Sequence, residues 1–125
     1  MALLCSATLS RADLTHRYSF TDDATDSVAA ANGTPNGGVT IGGGSAFFDG
    51  INGSFIELPP GLISNYTSVT FDFWIDVAGN GNWPELYAFG DRNAAGQGAK
   101  MLMFTPHSGN NDYRMSFADT DHLRL

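Results

Sequence analysis

Residues 68–77 read SVTFDFWIDV, and along this stretch apolar and polar side chains alternate almost without interruption. Successive side chains of a β-strand point to opposite faces, so the alternation predicts a strand. One face carries Val69, Phe71, Phe73, Ile75 and Val77. The other face carries Thr70, Asp72, Trp74 and Asp76. We expect the apolar face to be buried against a core and this strand to organise the fold.

The remaining composition favours an all-β architecture in a single domain. The chain has 125 residues, 15 of them glycine, and only 15% of its residues are charged. No segment keeps the 3.6-residue period of an amphipathic helix, whereas strand-like alternation recurs. Further strands are expected at residues 14–20, 39–41, 46–49, 54–59, 85–89, 100–105 and 113–118, and a short helical turn near 61–66.

The charge balance excludes two classes of partner. The formal net charge is −7, and Lys100 is the only lysine. Nucleic acids and anionic membrane surfaces attract basic patches, so neither is an expected partner. No stretch reaches the roughly 18 apolar residues that a membrane span requires, so membrane insertion is not expected.

Residues 1–12, MALLCSATLSRA, have the character of a residual signal peptide. A short apolar run is followed by Ser10 and Ala12, which suit the −3 and −1 positions of a cleavage site. A disordered N-terminus is the alternative reading, because the run is short and lacks a positively charged start. A signal peptide would direct the protein to the cell surface or the medium, and cleavage after Ala12 would remove Cys5, the one cysteine.

Four motifs in order support a family resemblance that covers most of the chain. They are LTHRYSFTDDATDSV at 14–28, GGGSAFFDGINGSFIELPPGLIS at 42–64, SVTFDFWIDV at 68–77 and LYAFGD at 86–91. In this order and spacing they resemble the laminin-G-like branch of the concanavalin A-like lectin/glucanase superfamily. The resemblance implies a jelly-roll β-sandwich of two antiparallel sheets over residues 13–125, shortened at its C-terminal end because family members generally run longer.

The resemblance also implies a non-catalytic extracellular recognition module that binds carbohydrate or a protein surface, as part of a larger secreted or cell-surface protein. The alternative is a degenerate remnant of a glycoside hydrolase of the same superfamily. Asp72 and Asp76 stand where such enzymes carry an acidic pair, but they lie about 13 Å apart along an extended strand. Hydrolysis requires carboxyl groups about 5–9.5 Å apart, so we expect no enzyme activity.

Other catalytic arrangements have less support in the sequence. The three histidines, His16, His107 and His122, are dispersed and lack a nucleophile motif beside them. His16 falls on the apolar side of the expected strand at 14–20, where a hydrogen-bonded core histidine is the ordinary interpretation.

Loop aspartates offer a candidate calcium site. Asp26 and Asp49 are the preferred ligands, since calcium is bound by carboxylate and carbonyl oxygens and Asp49 precedes a glycine. The family resemblance implies structural calcium at the rim of the sandwich. The alternative is that these aspartates form turns and caps, as loop aspartates usually do.

Aromatic and amide side chains near the second half of the chain are the candidate ligand-binding residues. They are Trp83, Trp74, Tyr87 and Asn82. A flat ring covers the apolar C–H face of a sugar while amides and carboxylates bind its hydroxyls. The alternative is that Trp83 packs down as a loop anchor and that a neighbouring segment covers Trp74.

Overall fold

The computed structural model describes residues 12–78, 83–92, 98–110 and 112–118, so most of the segment at 1–12, and also Asn82 and His122, lie outside the described residues. The chain divides into two compact units, Met1–Thr70 and Phe71–Leu125. The described residues form strands and no helix, which confirms the all-β prediction. The strands are β1 (Thr34–Asn36), β2 (Val39–Gly42), β3 (Ser45–Phe48), β4 (Phe55–Glu57), β5 (Tyr87–Arg92), β6 (Gly98–Thr105) and β7 (Arg114–Ala118).

The first unit contains two small antiparallel sheets. β1 pairs with β4 so that Pro35 lies opposite Ile56, and β2 pairs with β3 in a hairpin. Burial along β4 follows the predicted alternation, since Ile56 is half-buried while Phe55 and Glu57 are exposed. The pattern therefore identifies the inward side of β4 correctly.

Two glycines form the tip of the hairpin between β2 and β3. Gly43 and Gly44 have φ angles of +61° and +86°, the combination required by a type I′ turn. The Gly43 N–H donates to the Thr21 carbonyl at 2.9 Å, and the Gly44 N–H donates to the Phe20 carbonyl at 3.0 Å. The tip is therefore fixed against the loop that precedes β1.

Small residues allow the first unit to pack closely. Ala24 is buried. A Cβ atom at Gly33 would approach the Ile56 side chain within 2.6 Å and those of Ala24 and Leu58 within 3.2 Å. Gly33 therefore leaves the space in which Ile56 and Leu58 pack.

The second unit contains one three-stranded antiparallel sheet in the order β5, β6, β7. Tyr87 lies opposite Phe104, which lies opposite Met115, so these three side chains share a face that we call the aromatic face. Met103 and Thr105 alternate with Phe104 and belong to the other face, the threonine face. Both are buried.

Six of the expected strands are confirmed. The strands β2 to β7 overlap the predicted segments 39–41, 46–49, 54–59, 85–89, 100–105 and 113–118 in that order. The expected helical turn is a pair of single turns, in which the Ser64 N–H donates to Gly61 and the Tyr66 N–H donates to Ile63. Among the described residues, no helix is long and apolar enough to span a bilayer.

The prediction of a strand at 14–20 is wrong. The pairing found there among the described residues is a single antiparallel bridge between Tyr18 and Asp26. The Asp26 carboxylate accepts the backbone N–H of Arg17, and such side-chain bonds compete with a strand ladder. β1 was not expected, because its sequence, Thr-Pro-Asn, belongs to a polar loop and carries no alternation.

The central prediction, a buried strand at 68–77, is also wrong as stated. The described structure assigns no strand to these residues. Four of the five side chains expected in the core are exposed, and Phe73 keeps 45% of its surface. Only Phe71 is half-buried. The alternation still separates two sides, however, since Phe71 and Phe73 stack with ring centroids 6.1 Å apart while Trp74 is 99% exposed.

Candidate functional site

Trp83 is held in a defined position just before β5. Its backbone N–H donates to the His107 carbonyl at 2.9 Å. Its φ angle is +61°, a conformation that is uncommon for a bulky residue and that persists only where the surroundings impose it. The guanidinium carbon of Arg114 lies 4.9 Å from the ring centroid, within the range of a cation–π contact. The ring nevertheless remains 45% exposed.

A tight polar loop after β6 supports this position. The Ser108 N–H donates to the Asp112 carbonyl at 2.9 Å, and the Ser108 hydroxyl donates to the Asp112 carboxylate. The Asn110 N–H donates to the Ser108 hydroxyl at 3.2 Å. Thr105 and Ser108 are fully buried, so both the end of β6 and the loop that follows it are held in place by packing. It thereby fixes the His107 carbonyl that receives the Trp83 N–H.

The Arg114 guanidinium and the loop backbone at Gly109 lie close to the Trp83 ring. Arg114 Nη2 lies 4.0 Å from Asp112 Oδ2, a loose ion pair in which both side chains are partly exposed. An ideal Cβ on Gly109 would lie 3.5 Å from Trp83 Nε1, which places the loop backbone beside the indole N–H. His107 Nδ1 is buried and has no hydrogen-bond partner among the described residues. We call the residues Trp83, His107, Asp112 and Arg114 the Trp83 site, to which His107 contributes its backbone carbonyl.

Tyr87 belongs to a different surface. Its ring stacks on Phe71, Phe73 and Phe104, with centroid distances of 4.7, 5.4 and 6.2 Å. Burial raises the pKa of the Tyr87 hydroxyl, since it disfavours the charged form. Tyr87 lies on the aromatic face, whereas Arg114 lies opposite Thr105 on the threonine face. The structure therefore does not bring Tyr87 to the Trp83 ring.

Trp74 is almost completely exposed to solvent. Its side chain is 99% exposed, so the alternative in which a neighbouring segment covers it does not hold in the described structure. No ring stacking joins Trp74 to Trp83 or Tyr87 within the described residues. The fourth candidate, Asn82, lies outside them. Among the candidates that the structure describes, Trp83 is the one whose ring has a cation–π contact beside it.

Sequence reasoning missed three members of the Trp83 site. His107, Asp112 and Arg114 lie more than 20 residues beyond Trp83, and their meeting depends on the register of β6 and β7. The polar run from His107 to Asp112, HSGNND, carried a signal of a tight loop. Nothing in that run indicates which ring it packs against.

Asp26, a predicted calcium ligand, is buried and fully engaged. Its Oδ1 accepts the backbone N–H groups of Arg17 and Val28, each at 3.0 Å. Its Oδ2 accepts the His16 Nδ1–H at 2.7 Å and the Ala31 N–H at 3.3 Å. Asp26 is thus the centre around which residues 16–31 fold, and His16 is a hydrogen-bonded histidine as expected.

These contacts fix the ionisation of Asp26. Burial by itself raises the pKa of the carboxyl group, because it disfavours the charged form. The hydrogen bonds from Arg17, His16 and Val28 oppose this effect and hold the pKa well below its usual range. The carboxylate therefore stays ionised throughout the physiological pH range.

Asp49, the second predicted calcium ligand, closes the loop between β3 and β4. Its Oδ1 accepts the Ser54 hydroxyl at 2.5 Å and the Ile51 N–H at 3.0 Å. These bonds lower the pKa of the Asp49 carboxyl, the Ser54 bond most. A Cβ on Gly38 would collide with this carboxylate. No group of three potential metal ligands occurs in the part of the chain that the structure describes.

A scan of family models and searches of curated proteins and of solved structures find no match to this chain.

Proposed function

We propose that this protein is a non-catalytic extracellular recognition module that binds carbohydrate at the Trp83 site. The observation that carries the proposal is the state of Trp83, which is half-exposed and yet fixed at a φ of +61°. Strained backbone conformations cluster at functional sites, so the strain at Trp83 supports a functional role for its ring. A ring that is already fixed loses little conformational entropy when a ligand stacks on it.

The chemistry around the ring suits a sugar. An indole face covers the C–H groups on one side of a pyranose, while polar groups at its rim bind the hydroxyls. Arg114 supplies hydrogen-bond donors, and Asp112 supplies acceptors. Both side chains are partly exposed, so they are accessible to a ligand on the Trp83 ring.

The proposed fold context is a laminin-G-like, concanavalin A-like jelly-roll sandwich in a secreted or cell-surface protein. The antiparallel sheets and the absence of helix among the described residues are compatible with it. The four ordered motifs of the sequence give it its main support. In this context a protein surface is the other class of ligand to test.

Carbohydrate binding is tested by a glycan array followed by calorimetry on the strongest responders. Sites built on one or two rings are expected to bind in the millimolar to micromolar range, about −4 to −8 kcal/mol. Trp83→Ala should weaken binding by at least about tenfold, which corresponds to roughly 1.4 kcal/mol. Trp83→Phe should retain part of it, because a ring remains.

Trp74→Ala is the matched control, since it removes an equally large ring that is 99% exposed and belongs to a different segment of the chain. Unchanged binding in Trp83→Ala would contradict the assignment of the site. Glycoside hydrolysis that is lost in Asp72→Asn or Asp76→Asn would instead support the remnant of a glycoside hydrolase.

A further inference from the structure

The first unit contains Asn-Gly pairs in three different surroundings. They are Asn32-Gly33, Asn36-Gly37 and Asn52-Gly53. In such a pair the backbone nitrogen of glycine can attack the side-chain amide of asparagine, because glycine has no Cβ to block the approach. The attack requires that the amide and the nitrogen move towards each other. The contacts that hold each pair therefore rank the pairs by reactivity.

The pair Asn32-Gly33 is held at both reacting groups. Asn32 Oδ1 accepts the Asp26 N–H at 3.0 Å. The Gly33 N–H, which carries the attacking nitrogen, donates to the Ala24 carbonyl at 2.8 Å. Gly33 also packs so closely against Ile56 that a Cβ would approach its side chain within 2.6 Å. A reaction at this pair first has to open these contacts, so we expect it to be slow.

The pair Asn36-Gly37 is held in part. Asn36 is half-buried at the end of β1, where it lies opposite Phe55 in the ladder. Its Nδ2 donates to the Thr34 carbonyl at 2.9 Å. The ladder restricts the backbone rotation that would bring the amide to the Gly37 nitrogen. This pair is therefore expected to react at an intermediate rate.

The pair Asn52-Gly53 forms the tip of the turn between β3 and β4. The Ser54 N–H donates to the Ile51 carbonyl at 3.1 Å, so Asn52 and Gly53 are the two central residues of the turn. Gly53 has a φ of +97°, a sign that a type II turn requires at this position. Both residues are exposed. The peptide bond between the central residues of a turn can rotate while the bond between its ends stays in place.

We propose that Asn52 is a site of spontaneous deamidation, at which the folded chain converts asparagine to aspartate and isoaspartate. The Gly53 nitrogen forms a bond to Asn52 Cγ, the bond from Cγ to the side-chain nitrogen breaks, and ammonia leaves with the Gly53 amide proton. Water then opens the resulting cyclic imide. Opening at Cγ gives aspartate, and opening at the main-chain carbonyl gives isoaspartate. One water is consumed and one ammonia is released, with no oxidation or reduction.

Both products change the β3–β4 loop in a measurable way. Each adds a negative charge to a chain whose formal charge is already −7, and it does so in the loop that Asp49 closes. Isoaspartate also lengthens the main chain of the turn by one carbon atom. Ion exchange therefore separates the converted chain, and an isoaspartyl methyltransferase labels the isoaspartate form.

Incubation of the whole purified chain in mildly alkaline buffer tests the proposal. In the folded chain Asn52 should convert at least about tenfold faster than Asn32, with Asn36 between them. In urea the contacts that hold the pairs are lost, so the three rates should converge. This convergence distinguishes protection by the fold from an effect of the local sequence.

Brief chymotryptic digestion followed by mass spectrometry measures each pair separately. Cleavage after Phe48 and Phe55 places Asn52 in the peptide 49–55. Asn32 and Asn36 fall in the peptide 21–47, where fragmentation separates them. A fourth pair, at 80–81, lies outside the described residues and in a different peptide, so its conversion is counted separately.

Asn52→Gln is the matched control. Its longer side chain would have to close a larger ring, so the methyltransferase label in the peptide 49–55 should be lost. Asn52 is exposed, so this change should leave the turn intact.

A folded chain in which Asn32 or Asn36 converts as fast as Asn52 overturns the proposal. So does a folded chain whose Asn52 keeps its amide over the time in which the chain in urea loses it, since that result shows that the turn protects this pair.

Discussion

Among the described residues, Asp26 is the one whose side chain accepts the most hydrogen bonds. Four donors from residues 16–31 converge on its two carboxylate oxygens. The sequence predicted Asp26 as a calcium ligand, with a turn- or cap-forming aspartate as the alternative, and it did not decide between the two. The distinction depends on which N–H groups point towards the Asp26 carboxylate, and the local sequence does not predict this.

We expect Asp26→Asn to lower the free energy of unfolding by about 2–4 kcal/mol, because several charge-assisted hydrogen bonds lose their charged acceptor. Asp22→Asn, in the same loop but exposed, should change it little. Urea unfolding at neutral pH measures both.

The difference in stability between the wild type and Asp26→Asn should depend on pH. The pKa of Asp26 is lowered in the folded state, so its contribution to stability is complete above the unfolded value of about 3.9. As the pH falls below this value, the unfolded chain takes up the proton first and the contribution is progressively lost. The difference in stability between wild type and Asp26→Asn should therefore shrink below about pH 4. A difference that stays constant into acid would show that the charge of Asp26 is not what stabilises the loop.

At the scale of elements, alternation predicted the faces of the strands better than it predicted their pairing. Phe71 and Phe73 lie on one side of their segment, as the two-residue period requires, but the described structure assigns no ladder to it. β1 had no alternation and still pairs with β4, which lies about 20 residues further along the chain. Period-two patterns report the side on which a side chain lies, whereas pairing is set by distant segments.

The β2–β3 hairpin allows a direct test of turn chemistry. A Cβ at Gly43 meets open space, so only the positive φ restricts this position. Gly43→Asn should leave stability nearly unchanged, since Asn tolerates a positive φ. Gly43→Val should cost about 1–3 kcal/mol, because a β-branched residue is strained there. Equal losses in thermal denaturation would mean that the turn is not type I′ in solution.

For the whole molecule, composition and residue alternation predicted the all-β architecture but not the site. The all-β architecture follows from recurring alternation and many glycines. The Trp83 site requires the β6–β7 register and a turn at Ser108, and neither has a local signature. Long-range register is therefore the information that a single sequence lacked.

Calcium binding at Asp26 and Asp49 stays a prediction. If calcium binds the folded chain, millimolar calcium should raise the melting temperature of chelator-treated protein by mass action. Asp49→Asn should reduce that rise more than Asp26→Asn, because Asp49 is exposed whereas both Asp26 oxygens already accept hydrogen bonds. Magnesium at equal concentration controls for general screening of the −7 charge. A melting temperature that does not rise when calcium is added would contradict the calcium prediction.

The short sequence span of the Asp26 contacts also bears on how the chain folds. The contacts from His16, Arg17, Val28 and Ala31 close loops of 10, 9, 2 and 5 residues. Short loops lose less chain entropy on closing than the longer loop that joins β1 to β4. Closures of this length occur on a scale of about 10–100 ns. These hydrogen bonds can therefore form before the β1–β4 sheet does, and none of their four donors lies beyond Ala31 in the chain.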